Sequence, residues 1–340
     1  MVHKREVALI TGITGMVGSH LADYLIENTD WDIVGMCRWR SPQSNVSHLY
    51  ERANKNDRIR FVEGDLLDQV SLINVLRDSN PDYIFHLAAQ SYPTASFSSP
   101  INTLDTNIIG TARLLEGVRI LGIDPKIHVC SSSEVFGRVS IEDLPISEDA
   151  PFKPASPYSI SKVGTDLLST FYSQAYGMKT IATRMFTHTG PRRGEVFAES
   201  TFAKQIALAE KGLIPPIIKV GNLNSMRTWS DVRDAVRAYH LLLTKDPRFG
   251  EVYNIGGTFS ATVGDMLDKL VSISSLQGKF EIVVSSSRIR PLDADLQIPD
   301  TTKFTNHTGW LPKVSFDQTM QDLLDYWRAQ VNLSNFLVEK

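Results

Sequence analysis

Residues 6–25 read EVALITGITGMVGSHLADYL, and the way this run divides decides the fold. Val7 to Ile10 is a short apolar run of strand type, and a helical pattern occupies 17–27. Between them Gly12, Gly15 and Gly18 stand at TGxxGxxG spacing. A strand that stops at glycine and restarts as a helix makes a tight turn, and its backbone can approach a pyrophosphate held at the helix N-terminus. The stretch therefore predicts the first βαβ unit of a parallel sheet carrying a dinucleotide site.

Working outward, the same rhythm repeats. DIVGMC (32–37), RIRFVEG (58–64), DYIFHLAA (82–89), KIHVCSSS (126–133) and KTIATRMF (179–186) read as strands, and 70–78, 102–120 and 159–176 read as helices. Strands alternating with helices imply right-handed crossovers that cover both faces of one doubly wound sheet. After Phe186 the rhythm loosens into a Gly/Pro/Arg loop, a helix near 198–211, a strand and helix within 217–257, the strand FEIVV and a last amphipathic helix. The expected division is a dinucleotide-binding domain over 1–187, with 226–260 packing back onto it. A smaller α/β substrate-binding domain takes 188–225 and 261–330, and 331–340 forms a loose tail.

The 340 residues carry 42% hydrophobic and 21% charged side chains and a net charge of −3. That is the make-up of a globular protein with a real core, and no basic field argues for a nucleic-acid partner. The four-residue apolar run near the N-terminus is too short for a signal peptide or a membrane span. Two cysteines, Cys37 and Cys130, build neither a disulfide framework nor a zinc site. Both read as buried strand-end residues, and a cytoplasmic enzyme without a metal is expected.

Cofactor contacts are expected from Gly12, Thr14, Gly15, Met16, Val17 and Gly18 of the first turn. GDLLD (64–68) follows the third strand, where Asp65, with Leu66 beside it, would accept from an adenine amino group. HLAAQ (86–90) ends the fourth, where Leu87, Ala88 and Ala89 are small or apolar enough to pass a cofactor backbone. The second strand ends GMCRWRS (35–41), with Arg38, Arg40 and Ser41 and no acid for a ribose 2′-hydroxyl. Guanidinium forks match a 2′-phosphate, which favours NADP over NAD.

SPYSISK (156–162) sets Tyr158 and Lys162 four apart, on one face of a helix that Pro157 opens. A phenol of ordinary pKa near ~10 is a poor base at neutral pH. An ammonium one turn away favours its ionised form and makes it a general base. Upstream, CSSSEVFG (130–137) offers Ser132 to share the substrate oxygen with Tyr158. It also offers Glu134, a carboxylate that plain alcohol oxidation does not need and an elimination does.

Taken in order along nearly the whole chain, TGxxGxxG, HLAAQS, SSSEVFG, SPYSISK, RTWSDVRDAV (227–236) and RPLDADLQIPDTTK (290–303) resemble the extended short-chain dehydrogenase/reductase family. Within it the chain looks most like GDP-mannose 4,6-dehydratases. LAAQSY (87–92) with Ser96-Phe97, the trio 132–134, HTGPRRGEVF (188–197) and KVGNLNSMRTW (219–229) carry that likeness. The resemblance implies a Rossmann-type fold, catalytic roles for Ser132, Glu134, Tyr158 and Lys162, and an NADP-dependent hydro-lyase acting on a GDP-sugar. It implies substrate contacts from Ser91, Glu134, Thr187, Arg192, Arg193, Lys204, Arg227 and Arg290. Arginine forks in loops beyond the cofactor half also suit a diphosphate on chemical grounds.

The chain departs from the subfamily at Met16-Val17, where Gln-Asp is usual, at Thr187, where Asn is usual, and at Thr228, where Asp is usual. These changes leave open a GDP-manno-heptose dehydratase, or a 4-keto reductase or epimerase on the same fold. The helices at 102–120 and 159–176 carry apolar faces of the kind that relatives pair about a two-fold axis. A homodimer is expected, with a homotetramer through 38–52 as the alternative.

Overall fold

The computed structural model describes residues 4–289, 292 and 294–338. The first half runs β1 (Val7–Thr11), α1 (Met16–Asn28), β2 (Asp32–Cys37), α2 (Tyr50–Asn54), β3 (Ile59–Glu63), α3 (Gln69–Ser79) and β4 (Tyr83–His86). It continues through α4 (Pro93–Ser98), α5 (Pro100–Leu104), α6 (Gly110–Leu121), β5 (Lys126–Cys130), α7 (Pro157–Tyr176) and β6 (Thr180–Met185). The second half runs β7 (His188–Thr189), α8 (Ala198–Glu210), β8 (Ile217–Val220), β9 (Met226–Asp231), α9 (Val232–Thr244), β10 (Val252–Ile255) and β11 (Phe259–Thr262). Last come α10 (Val263–Ser272), β12 (Glu281–Val284), β13 (Leu296–Gln297), α11 (Thr302–Thr308) and α12 (Phe316–Val338).

Seven strands form one sheet in the order β10-β6-β5-β4-β1-β2-β3, and every pairing in it is parallel. This is the doubly wound Rossmann arrangement, with order reversing beside β1. Registers Thr11↔Met36 and Thr11↔His86 align the carboxyl ends of β2, β1 and β4, so the turns that follow them gather along one edge. Both faces are buried. Leu21 and Leu25 of α1 and Val236 and Tyr239 of α9 cover Ile10, Ile33 and Phe85 on one side. Leu72 and Leu76 of α3 and Leu114, Leu115 and Val118 of α6 cover Leu9, Ile84 and Ile127 on the other. A separate core forms where Phe202 and Ile206 of α8, Met266 and Leu270 of α10 and Leu323 and Leu324 of α12 meet Ile218 of β8. Strands β11, β9 and β13 make a second small sheet, with β7 joined to β9.

Three details differ from the sequence reading. The helix expected at 102–120 is interrupted by a π turn over Asp105–Ile109, which turns Asn107 inward to hold the backbone of Gln90 at both its N–H and its carbonyl. The C-terminal helix runs on to Val338, past the boundary expected at 330, and within it Val331 is buried against the second core and extends its apolar face. Cys37 and Cys130 are free thiols at strand ends, but half-buried rather than buried; Cys130 borders the open space beyond its strand end. Among the described residues no helix is long and apolar enough to cross a membrane, and no cluster of His, Cys, Asp and Glu is arranged to hold a metal.

Candidate active site

The gathered turns border a cavity of about 540 Å³, within the range that encloses small organic ligands. Gly12, Gly15, Met16, Val17 and Gly18 line one end. Gly12 adopts φ +74°, and a Cβ added there would lie 2.8 Å from the Cα of Ala88. At Gly18 a Cβ would lie 2.4 Å from the carbonyl oxygen of Gly12. Only glycine permits this turn. Helix α1 starts without a side-chain cap and without an acid in its first turn, so its N-terminal dipole and N–H groups suit an anion. The donor set thus fits the pyrophosphate of a dinucleotide. Leu87 and Ala89 line the same end.

Other expected cofactor residues lie outside this cavity. Arg38 and Arg40 are exposed in the turn after β2, which Ser41 closes by donating its N–H to the Arg38 carbonyl at 3.0 Å. The Asp65 carboxylate accepts from the N–H of Leu67 at 3.0 Å. Leu66 is buried below Gly110, Ala88 backs Gly12, and the Thr14 carbonyl accepts from the Asn45 side chain at 3.1 Å.

The middle of the cavity belongs to α7 and the end of β5. Ser156 and Ser159 form a capping box and Pro157 takes the first turn, which fixes Tyr158 beside the strand end. Lys162 is buried one turn further and donates Nζ–H to the carbonyl of Cys130 at 2.7 Å. Ser132 caps the short turn Ser133–Phe136, its hydroxyl accepting from the Glu134 N–H at 3.2 Å. Ser132, Glu134, Tyr158 and Lys162 all line the one cavity.

The electrostatics correct the sequence argument for the tyrosine. Burial pushes the Tyr158 phenol well above its ordinary value, opposed by the Ser132 hydrogen bond and the charge of Arg193. Burial also lowers Lys162. At this buried phenol desolvation outweighs the help of the ammonium, whose Nζ–H is held by a backbone carbonyl.

The far end is lined by Ser91, Thr187, Arg192, Arg193 and Arg227. Arg227 Nη1 lies 3.8 Å from Glu134 Oε1, with both side chains largely buried. Arg192, at φ +68°, donates to Asp23 at 2.6 Å. Arg193 donates to Glu199 at 3.0 Å and its guanidinium lies 3.6 Å from the ring centroid of Phe197. Their loop is fastened to α1, where His20 lies 3.1 Å from the Pro191 carbonyl, and to the turn before α2, where Asn45 donates to the Arg192 carbonyl at 3.3 Å. Lys204 does not reach the cavity; it pairs with Glu195 and lies over the Trp327 ring. Arg290 lies outside the described residues.

Asn45, Glu199 and Phe197 were missed by the sequence reading. Asn45 sits in a plain polar run, and the acid and aromatic ring become legible only once the loop is folded over α8.

Comparisons with known proteins agree with this geometry. The GDP-mannose 4,6-dehydratase 1 of Arabidopsis thaliana is 33% identical over 334 residues, covering 96% of this chain and 90% of the relative. Among solved structures, RMD from Pseudomonas aeruginosa complexed with NADPH superposes with a TM-score of 0.80 at 27% identity, covering 96% of this chain and 99% of that one. DesIV, a dTDP-glucose 4,6-dehydratase of Streptomyces venezuelae solved with NAD bound, gives 0.82 at 25% identity, covering 96% and 98%. A family model described as GDP-mannose 4,6 dehydratase matches residues 9–323, and with it the chain belongs to the GDP-mannose 4,6-dehydratase family.

Proposed function

We propose that the enzyme converts GDP-mannose to GDP-4-keto-6-deoxymannose, with a resident NADP and no net redox change. The observation that carries this reading is that Tyr158 and Glu134 open onto one cavity, between a glycine turn shaped for a pyrophosphate and a group of arginines. A bound nicotinamide would supply a reversible store for the two electrons and the hydrogen that leave carbon 4 and return to carbon 6. Tyr158 takes the proton of the 4-hydroxyl while the Ser132 hydroxyl hydrogen-bonds the same oxygen. The ketone so formed acidifies carbon 5, and Glu134 removes that proton and delivers one to the departing 6-hydroxyl. Arg227 and Arg193 suit the diphosphate as charged donors. Incubation with GDP-mannose and catalytic NADP⁺ is expected to give the 4-keto-6-deoxy product without accumulation of NADPH. Binding of GDP-mannose without that product would overturn the substrate assignment, and stoichiometric consumption of NADPH would instead favour a reductase.

The choice of NADP is supported by two exposed guanidinium groups, Arg38 and Arg40, after β2, with Ser41 between them and the next turn. Replacing both with serine is expected to weaken NADP⁺ binding about a hundredfold and leave NAD⁺ binding within a fewfold, as charge-assisted bonds worth ~1.5–3 kcal/mol are lost only to the phosphate. Calorimetric titration with each dinucleotide measures it; equal losses for both would remove the arginines from this role.

We further propose a homodimer. Ile160, Leu167 and Phe171 form an apolar stripe on α7, at 49%, 54% and 52% exposure, and Ile101 of α5, a helix packed against α7, is 76% exposed. The α7 spacing gives one helical face, and a second copy is the occupant that such a self-complementary stripe suits. Sedimentation is expected to give twice the 38.0 kDa chain mass, and Leu167→Glu is expected to shift it to one chain.

A further inference from the structure

Under the cavity floor, His86 at the end of β4 is buried together with Thr11 and Thr111. Its ring bridges the two hydroxyls, with Nδ1 3.0 Å from Thr11 Oγ1 and Nε2 3.0 Å from Thr111 Oγ1. The direction of each proton follows from its neighbours. Thr11 Oγ1 accepts the N–H groups of both Leu87 and Ala88 at 3.1 Å. A hydroxyl has two lone pairs and one proton, so the proton of Thr11 points at His86 and Nδ1 is bare. Thr111 Oγ1 lies 2.6 Å from the carbonyl oxygen of Asn107, which can only accept. Thr111 therefore donates there and accepts from His86 Nε2–H. The chain continues, since Asn107 Nδ2 donates to Ser161 Oγ at 2.8 Å and Ser161 donates to the Tyr158 carbonyl at 2.6 Å.

One end of this chain is the backbone of Leu87 and Ala88, against which the glycine turn packs. The other end is the first turn of the helix that carries Tyr158 and Lys162. We propose that His86, held as the neutral Nε2–H tautomer, is a positioning residue that sets the dinucleotide-facing edge of the sheet in register with the catalytic helix. An imidazole has one acceptor and one donor on opposite sides, which is what a link between two threonines of opposite polarity requires. Protonation would place two donors there, one of them aimed at a hydroxyl whose lone pairs are filled. Burial and the charge of Lys162 hold the ring neutral, lowering its pKa to about 3.

The effect on turnover rests on the dehydratase reading above, whereas the tautomer and dinucleotide binding do not, so the test uses all three. Histidine side-chain ¹⁵N–¹H correlation spectra, assigned by the signal missing from His86→Gln, are expected to show a bare Nδ1 and a protonated Nε2. A proton on Nδ1 overturns the proposal. His86→Leu is expected to lower kcat about ten- to a hundredfold per folded enzyme, because two buried hydroxyls lose their partner. His86→Gln, which again offers one acceptor and one donor, is expected to recover most of it. Should His86→Leu fail to fold, Thr111→Val and Thr111→Ser serve instead. The valine variant is expected to lose kcat with its calorimetric Kd for NADP⁺ kept within twofold, and the serine variant to restore it. Thr11→Val is expected to raise that Kd severalfold. A kcat for Thr111→Val equal to that of the parent, or a Thr11→Val that binds NADP⁺ unchanged, refutes the link.

Discussion

Glu134→Gln is expected to abolish formation of the 4-keto-6-deoxy sugar, by about a thousandfold or more, while still allowing the first half of the reaction. In the proposed mechanism the two halves use different residues of the one cavity: Tyr158 and Ser132 would serve the 4-hydroxyl, and Glu134 would serve carbons 5 and 6. Glutamine keeps the shape of the side chain and the backbone bond from residue 134 to Ser132 Oγ, but it cannot take a proton. General acid–base groups contribute about 10²–10⁴-fold each, and Glu134 acts twice, once as base and once as acid, which places the loss at the upper end. Mixing this variant with GDP-mannose is expected to give a single rise in the near-ultraviolet absorbance of reduced nicotinamide that does not decay. Tyr158→Phe is expected to give neither product nor that rise, because the first proton is never removed. If both variants behave alike, the division of labour between phenol and carboxylate is wrong, even if turnover is lost in each. If Glu134→Gln turns over normally, the elimination is served by another group.

The parts of this site visible in the sequence are those whose geometry is local. TGxxGxxG makes its turn through the conformations of three residues, and Tyr158 and Lys162 share a helix face because they are four apart. What escaped the sequence depends on partners far along the chain. Arg192 looks like a free phosphate ligand beside Arg193, but its partner Asp23 is 169 residues away. Lys204 looks equally available and is neutralised by Glu195, nine residues before it across a loop and a helix start. The upward shift of the Tyr158 phenol was equally hidden, because spacing reports a nearby ammonium and says nothing of how deeply a phenol is buried. The π turn in the 102–120 helix was invisible for the same reason: it exists so that Asn107 can hold Gln90, a loop residue that no helical periodicity encodes.

Acid is expected to unfold this enzyme earlier than its carboxylates would dictate, because several histidines are built into it as neutral groups. Burial lowers His86 and His128 to about 3, aided by the charge of Lys162 at His86 and by the electrostatic influence of His86 and then Lys162 at His128. Burial with Arg192 lowers His20 to about 4, and burial with Arg193 does the same for His188. In the unfolded chain each titrates near 6.5. The unfolded state therefore binds more protons than the native state below that pH, and stability falls with falling pH. For one such group the loss is about 2 kcal/mol at pH 5, saturating once the folded value is passed. The losses of neighbouring rings do not simply add, but two or three of them approach the ~5–15 kcal/mol that holds a typical domain together. Carboxylate pairs titrate lower: burial alone would raise Glu210, but bonds from Arg328, Ser274 and the Ser275 N–H bring it to about 2, so its contribution is lost only below its ordinary range near 4.5. The window from pH 6.5 to 5 thus reports the histidines. Urea unfolding is expected to show a midpoint that drops steadily across that window. His20→Gln, which keeps an amide N–H for the Pro191 carbonyl but cannot titrate, is expected to reduce the slope by about one proton, or ~1.4 kcal/mol per pH unit near pH 5. A midpoint that stays level from pH 7 to 5 would mean that these rings are either solvated or already charged in the folded enzyme, and the neutral His86 link would fail with them.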